Sequence, residues 1–350
     1  MPPPTDHLRR LHRLRRLPKV VLHDHLDGSL RPATLLALLH ERGIAPPAPE
    51  VAGLERWFDA NAHAGSLEKY LEGFALTVAA MASPAALERV AFEAAEDARE
   101  DGALLAEFRI APLLFEAHGL DGDTAVEAML AGLARSPLPS GLIVCAMRNF
   151  GTDHVMRSAE LALRWAPRVI AFDLAGAERG HPVAEHAAAL ARVREGGLPM
   201  TLHAGEADVA ERVLEAGRAG ARRIGHGVRL VDALADPARR HLVDEVKALG
   251  LHLEVCPTSN VHTGAAPSIA AHPITALWRA GVSLSYHTDN RLMSCITHAG
   301  EAASLLRETP LAEADLLRMA RLAAEASFLG PAVRAAAVAA IDAFEAGGRN

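Results

Sequence analysis

The chain of 350 residues is 50% hydrophobic and 23% charged, with 36 Lys and Arg against 43 Asp and Glu. That size suits one α/β barrel or two ordinary domains, and the acidic balance argues against general binding to nucleic acid or anionic membranes, which rests on excess basic charge. Cys145, Cys256 and Cys295 are odd in number and lack a Cys-x-x-Cys, no apolar run reaches membrane-spanning length, and the N-terminus lacks a signal-peptide core. The expectation is a cytoplasmic protein with small-molecule partners.

Residues 7–16 set Arg9, Arg10, Arg13, Arg15 and Arg16 around Leu8, Leu11 and Leu14. This predicts a basic amphipathic helix within 1–18, its leucines packed beneath the fold. Val20-Val21-Leu22 then leads into His23-Asp24-His25-Leu26-Asp27-Gly28, which reads as a buried strand running out into a polar loop. Side chains on a strand alternate, so His23, His25 and Asp27 are expected on one face. Residues 32–42 read as a helix. Pro46, Pro47 and Pro49 force a loop, and helical periods follow through Trp57, Phe58, Leu67, Tyr70, Leu71 and Phe74. That aromatic cluster fits a helical core and, alternatively, a lid over a planar ligand. Further strands are expected at 104–110, 142–147, 169–174, 200–202, 223–224, 251–255 and 282–285, separated by Ala-rich helical segments. With the first they make eight, and no linker interrupts them. The prediction is one domain over 1–350, a (β/α)8 barrel of the TIM type with additional helices.

A barrel of this kind builds its active site at the C-terminal ends of its strands. Polar motifs fall there: Ala175-Gly176-Ala177-Glu178, His203-Ala204-Gly205-Glu206, Gly225-His226-Gly227 and His287-Thr288-Asp289-Asn290. Ionisable groups are costly to bury unpaired, so their gathering where the barrel opens marks a site. His23 and His25 from the first strand, His203 from the fifth and Asp289 from the eighth form a set of three imidazoles and one carboxylate suited to one zinc ion. Such a metal lowers the pKa of bound water from 15.7 to about 7. Glu206 is placed beside the metal without ligating it, the position of a general acid, and His226 is placed to orient the nucleophile. With Asp289 these form the expected catalytic set.

Leu22-His23-Asp24-His25-Leu26-Asp27-Gly28, His203-Ala204-Gly205-Glu206, Gly225-His226-Gly227, Cys256-Pro257 and Thr288-Asp289 resemble, in order and spacing, the adenosine deaminase family of zinc-dependent barrel hydrolases. The resemblance runs from Lys19 to about Ser294. It implies zinc on His23, His25, His203 and Asp289, protonation of a purine ring by Glu206 and assistance to the nucleophile from His226. It further implies a backbone contact to the purine from Gly176 and a ribose contact from Asp27. The implied reaction is hydrolytic deamination of adenosine and 2′-deoxyadenosine in purine salvage. The alternative is the same chemistry on free adenine or another amino-substituted ring. Two positions depart from the family's common pattern: Asn290 stands where Asp is usual, and His287 where Asn is usual. An amide at 290 donates to N7 of the purine at every pH, and His287 is expected to make an outer hydrogen bond rather than join the ligands.

Two further motifs are set aside. His298-Ala299-Gly300-Glu301 repeats the tetrapeptide of 203–206 but follows Asp289 too closely to end another strand, and reads as a helix start capped by Thr297. Ser66-Leu67-Glu68-Lys69 matches the Ser-x-x-Lys of acyl-transfer enzymes but lacks the companion Lys-Thr-Gly.

Overall fold

The computed structural model describes residues 13–63 and 67–347, and the side chains of these other than 67–72. Eight parallel strands follow one another in chain order: β1 (Lys19–His25), β2 (Ala103–Ile110), β3 (Ser140–Met147), β4 (Val169–Ala175), β5 (Met200–Ala204), β6 (Arg223–His226), β7 (His252–Val255) and β8 (Leu284–Tyr286). Helices join them, so each strand is covered on its outer side and its sequence is a nearly continuous apolar run. The (β/α)8 barrel with additional helices is therefore present.

The strands reach further into the mouth than their apolar residues suggest. Ala204 still pairs with His226, and His203 with Gly225, because a polar side chain does not stop the backbone from donating and accepting in the ladder. The opposite correction applies to β1. It ends at His25, and Leu26–Gly28 forms a 3-10 turn, so Asp27 does not continue the strand face of His23 and His25 although it is buried. The turn is pinned by Thr77 Oγ1, which donates to the Asp27 carbonyl at 2.6 Å.

The barrel closes between β8 and β1 at the level of the predicted ligands. His25 N donates to Asp289 O (2.7 Å), and Asp289 N donates to His23 O (3.1 Å), an isolated parallel bridge beyond the end of β8. Deeper in the seam, Leu22 N donates to the His287 ring at Nδ1 (3.3 Å), so a side chain stands in for a ladder carbonyl. The helix Glu313–Ala326 packs across both β1 and β8 and covers the seam.

Residues 32–42 form the helix Pro32–Glu41, and the aromatic stretch forms helices Val51–Ala62 and Leu67–Met81. Phe58 is core, with Trp57 edge-on against it at 4.9 Å between ring centroids. The basic helix expected at 7–16 lies mostly outside the described residues, as do Ser66 and the side chains of the rest of the motif at 66–69. Among the described residues no single helix is long and apolar enough to cross a membrane.

The repeated tetrapeptide opens the helix His298–Glu308, where Thr297 Oγ1 accepts from Gly300 N. Its glutamate is structural: the buried Glu301 carboxyl accepts from Thr258 N (2.8 Å) and Thr258 Oγ1 (2.5 Å). Burial pushes this carboxyl up to about 7, against 4.5 for an ordinary glutamate. The folded state thus holds the proton more tightly than the unfolded chain. The contribution is complete below 4.5 and is lost as pH rises to about 7, on the order of 3 kcal/mol. Glu301→Gln, neutral throughout, should abolish that loss. Unfolding free energies measured across this pH range should converge at acid pH and favour the variant at neutral pH; parallel curves would refute the assignment.

Candidate active site

The C-terminal ends of β1, β5, β6 and β8 bring five donors together. Ligating atoms of His23, His203, His226 and Asp289 all lie within 4.8 Å of one another. His25 Nε2 is 3.3 Å from His203 Nε2 and 3.4 Å from Asp289 Oδ1. The sequence-predicted quartet of His23, His25, His203 and Asp289 thus converges, and His226 stands in the same cluster. Packing this tight depends on Gly225, where a Cβ would lie 3.0 Å from the His23 ring and 3.1 Å from that of His203. His226 and Asp289 occupy the left-handed backbone region at φ 63° and 62°, a strain found where geometry is imposed by function.

The rings are held from behind. His23 Nδ1 donates to Glu254 Oε2 (2.9 Å) and His203 Nδ1 to Asp173 Oδ1 (3.0 Å), leaving both Nε2 atoms aimed into the cluster. His23 Nε2 is fully buried, has no well-aligned hydrogen-bond partner and faces Asp289 Oδ1 at 3.3 Å. Burial drives the His25 pKa well below 6.5 and keeps its imidazole neutral, the form that binds metals. Burial alone would raise Asp289, but the close approach of the His23 ring, first among the neighbouring imidazoles, outweighs it and holds the carboxyl well below the usual carboxylate range. Beneath the cluster the buried guanidinium groups of Arg109 and Arg223 face Glu107, Asp173 and Glu254. With Asp289, four carboxylates oppose two arginines. An orphaned imidazole nitrogen, a neutral His25 and an excess of buried negative charge fit a divalent cation.

Glu206 stands outside the converging set. Its Oε1 accepts from Thr263 Oγ1 (2.8 Å) and Asn260 Nδ2 (3.2 Å), and its Oε2 is 3.5 Å from His226 Nε2. The loop that carries it is tied to Glu178, whose carboxylate accepts the backbone N–H groups of Gly205, Glu206, Ala207 and Asp208. Asp27 is buried, with Oδ1 lacking a partner; burial pushes its carboxyl up to about 7, and the charges of Asp289 and Asp24 add to this. Asn290 packs on Gly28, where a Cβ would sit 2.0 Å from Asn290 Oδ1. Gly176 has φ 91° and its missing Cβ would meet Asn149 Oδ1 at 2.3 Å, so only glycine suits the turn after β4.

His287 is not an outer partner of the ligands. Its Nε2 lies 2.6 Å from Ser285 Oγ and its Nδ1 accepts from Leu22, so it belongs to the seam. Several neighbours of the site lie outside the polar motifs of the sequence. Arg109 and Glu254 carry a signal, a charged residue inside an apolar strand, as does Asp173. Ser259, which donates to Asp289 Oδ2 at 2.5 Å, and Asn260 carry none.

A histidine and carboxylate cluster at the mouth of an eight-stranded parallel barrel, with a separate glutamate beside it, defines a barrel protein with a candidate metal centre and a candidate acid. The chain belongs to the adenosine deaminase family, whose model matches residues 18–344. Adenosine deaminase of Mycobacterium avium (strain 104) is 41% identical over 340 residues, 91% of this chain and 92% of its own. Adenine deaminase from Arthrobacter aurescens has the same fold, with a TM-score of 0.85 and 22% identity over 93% of this chain and 98% of its own. An amidohydrolase from Burkholderia ambifaria, solved with bound Zn, matches at a TM-score of 0.83 and 23% identity over 98% of this chain and 93% of its own. Family membership makes this chain a hydrolytic deaminase.

Removing the Glu178 carboxylate leaves four backbone donors of the Glu206 loop without their acceptor. Charge-assisted hydrogen bonds contribute roughly 1.5–3 kcal/mol each, so Glu178→Ala should loosen this loop by at least one such increment. Hydrogen exchange at the amides of 205–208 should accelerate by at least about tenfold while β1 to β4 stay protected. Unchanged exchange at these amides would remove Glu178 from this role.

Proposed function

We propose that this chain hydrolyses adenosine and 2′-deoxyadenosine to inosine and 2′-deoxyinosine with release of ammonia, a cytoplasmic step of purine salvage. In this reading one zinc ion is held by His23, His25, His203 and Asp289. The observation that carries it is the division of labour at the mouth: donor atoms of His23, His203 and Asp289 lie together, with His25 Nε2 3.3 Å from His203 Nε2 and 3.4 Å from Asp289 Oδ1, while Glu206 is anchored beside them by Thr263 and Asn260. The name borne by a relative 41% identical over 91% of this chain supports the choice of substrate.

Zinc, when bound, supplies the Lewis acidity that makes water nucleophilic at neutral pH. The protein's own groups do the rest. Glu206 delivers a proton to N1 of the purine as the water oxygen adds to C6, so negative charge does not build on the ring. The C6–N6 bond then breaks as the proton taken up by Asp289 passes to N6; ammonia leaves, and the C6 oxygen becomes the carbonyl as its remaining proton returns to Glu206. His226 points Nε2 at the reaction centre to orient the attacking water, and Asp289 is placed to take its proton. Asp27 offers its unpartnered oxygen to a ribose hydroxyl, and a nearby 5′-phosphate would meet its carboxylate unfavourably once ionised. Gly176 presents backbone to the purine, and the Asn290 amide donates to N7.

Glu206→Gln keeps the shape and removes the acid. Turnover, followed by the change in adenosine's ultraviolet absorbance, should fall at least roughly 100-fold to 10,000-fold with zinc retained. His203→Ala should lose metal and activity together. A Glu206→Gln protein that releases zinc would reverse the assignments of acid and ligand.

A further inference from the structure

His226 differs from its neighbours in what holds its Nδ1. At His23 and His203 the partner is a carboxylate, which only accepts; Nδ1 therefore carries the proton and Nε2 keeps its lone pair. At His226 the partner is the amide nitrogen of Asn260, 3.1 Å away, which only donates.

The orientation of that amide is fixed from both ends. At one end, the backbone N–H of Ile274 donates to His272 Nδ1 at 3.0 Å. A backbone N–H cannot accept, so the proton of the neutral His272 ring sits on Nε2, which lies 3.3 Å from Asn260 Oδ1 and donates to it. Burial holds the His272 pKa down at about 3, so the ring is neutral in the working range. At the other end, Asn260 Nδ2 has two hydrogens and two acceptors, Glu206 Oε1 at 3.2 Å and His226 Nδ1 at 3.1 Å. Asn260 is fully buried on the turn of helix after β7, and the chain of donors has a single consistent direction.

We propose that Asn260 and His272 are positioning residues that set the tautomer of His226, keeping Nδ1 an acceptor and placing the proton on Nε2. His226 is thereby a hydrogen-bond donor at the reaction centre and is withheld from the ligand set, although its ring lies 4.9 Å from that of His23 and 5.1 Å from that of His203. The same amide aligns Glu206, so the general acid and the orienting histidine share one support. The consequence for catalysis rests on the adenosine deaminase reading above; the tautomer does not.

Histidine-labelled protein, both metal-free and zinc-loaded, reports ring tautomers through two-bond ¹H–¹⁵N couplings, with His226 assigned by its loss in His226→Gln. The native ring should carry its proton on Nε2. Asn260→Asp turns an oxygen toward Nδ1 and should draw the proton there, with kcat on adenosine down at least about 100-fold, KM within about threefold and zinc retained. His272→Leu, which cannot donate to Asn260, should mix the tautomers and lower kcat, and His272→Gln, which can, should restore most of both. This pair reads the same ring if Asn260→Asp does not fold. A native His226 protonated on Nδ1, or an unchanged tautomer in Asn260→Asp and His272→Leu whatever their kcat, would overturn the proposal. A zinc-loaded native protein inert toward adenosine would instead sink the substrate assignment and leave the spectra to decide the tautomer.

Discussion

The candidate centre depends on one buried guanidinium, that of Arg109. Its Nη1 donates to Asp173 at 2.8 Å, and its Nη2 donates to Glu254 and to the Leu22 carbonyl, each at 2.6 Å. Asp173 in turn holds His203 and Glu254 holds His23, so a single side chain from β2 fixes carboxylates on β4 and β7 and, through them, imidazoles on β5 and β1. Glu254 is further held by Arg223 and Thr201, and Arg223 by Glu107. Burying these charges costs several kcal/mol per ion, and stripping one partner from such a network typically costs 3–5 kcal/mol. What the arrangement provides is a set of imidazoles whose tautomer and direction are settled before any ligand arrives.

The second constraint is where the barrel closes. Between β8 and β1 the closure beyond the strand end is the bridge of Asp24 and Asp289, so the step that completes the barrel also brings Asp289 to His23 and His25. Around the bridge a chain of ion pairs runs from Asp24 to Arg291 (2.7 Å), from Arg291 to Asp97 (3.2 Å) and from Asp97 to Arg31 (2.5 Å). These pairs, with Leu292 and Met293 donating to the Gly28 carbonyl, tie the segment after β8 to the turn after β1. Packing, closure and ligand geometry are thus one problem with one solution, and the left-handed backbone at Asp289 is a conformation that the surrounding contacts over-determine.

Much of this could be read in the chain, and the rest was hidden for identifiable reasons. Eight apolar runs separated by helical segments are enough to expect the barrel, since each run is covered on its outer side. The ends of β5 and β6 lie beyond their apolar runs because His203 and His226 look like loop residues while their backbones still pair. Asp27 departs from the face of His23 and His25 because the period of two holds only while the strand lasts, and β1 stops at His25. His287 is polar for the sake of the seam, a role that appears only when Leu22 is known to lie opposite it. Arg109 and Glu254 could have been singled out as charges within apolar strands, whereas Asn260 could not: its meaning comes from Glu206, His226 and His272, which other segments of the chain supply.

The central claim is that these buried donors form one metal site on which deamination depends. The most direct measurement is a zinc titration of chelator-stripped protein, following adenosine turnover and metal content together. Turnover that rises from baseline in proportion to bound zinc and saturates at one equivalent per chain is the predicted result. Undiminished turnover in protein freed of metal, or saturation unrelated to metal content, would contradict the account.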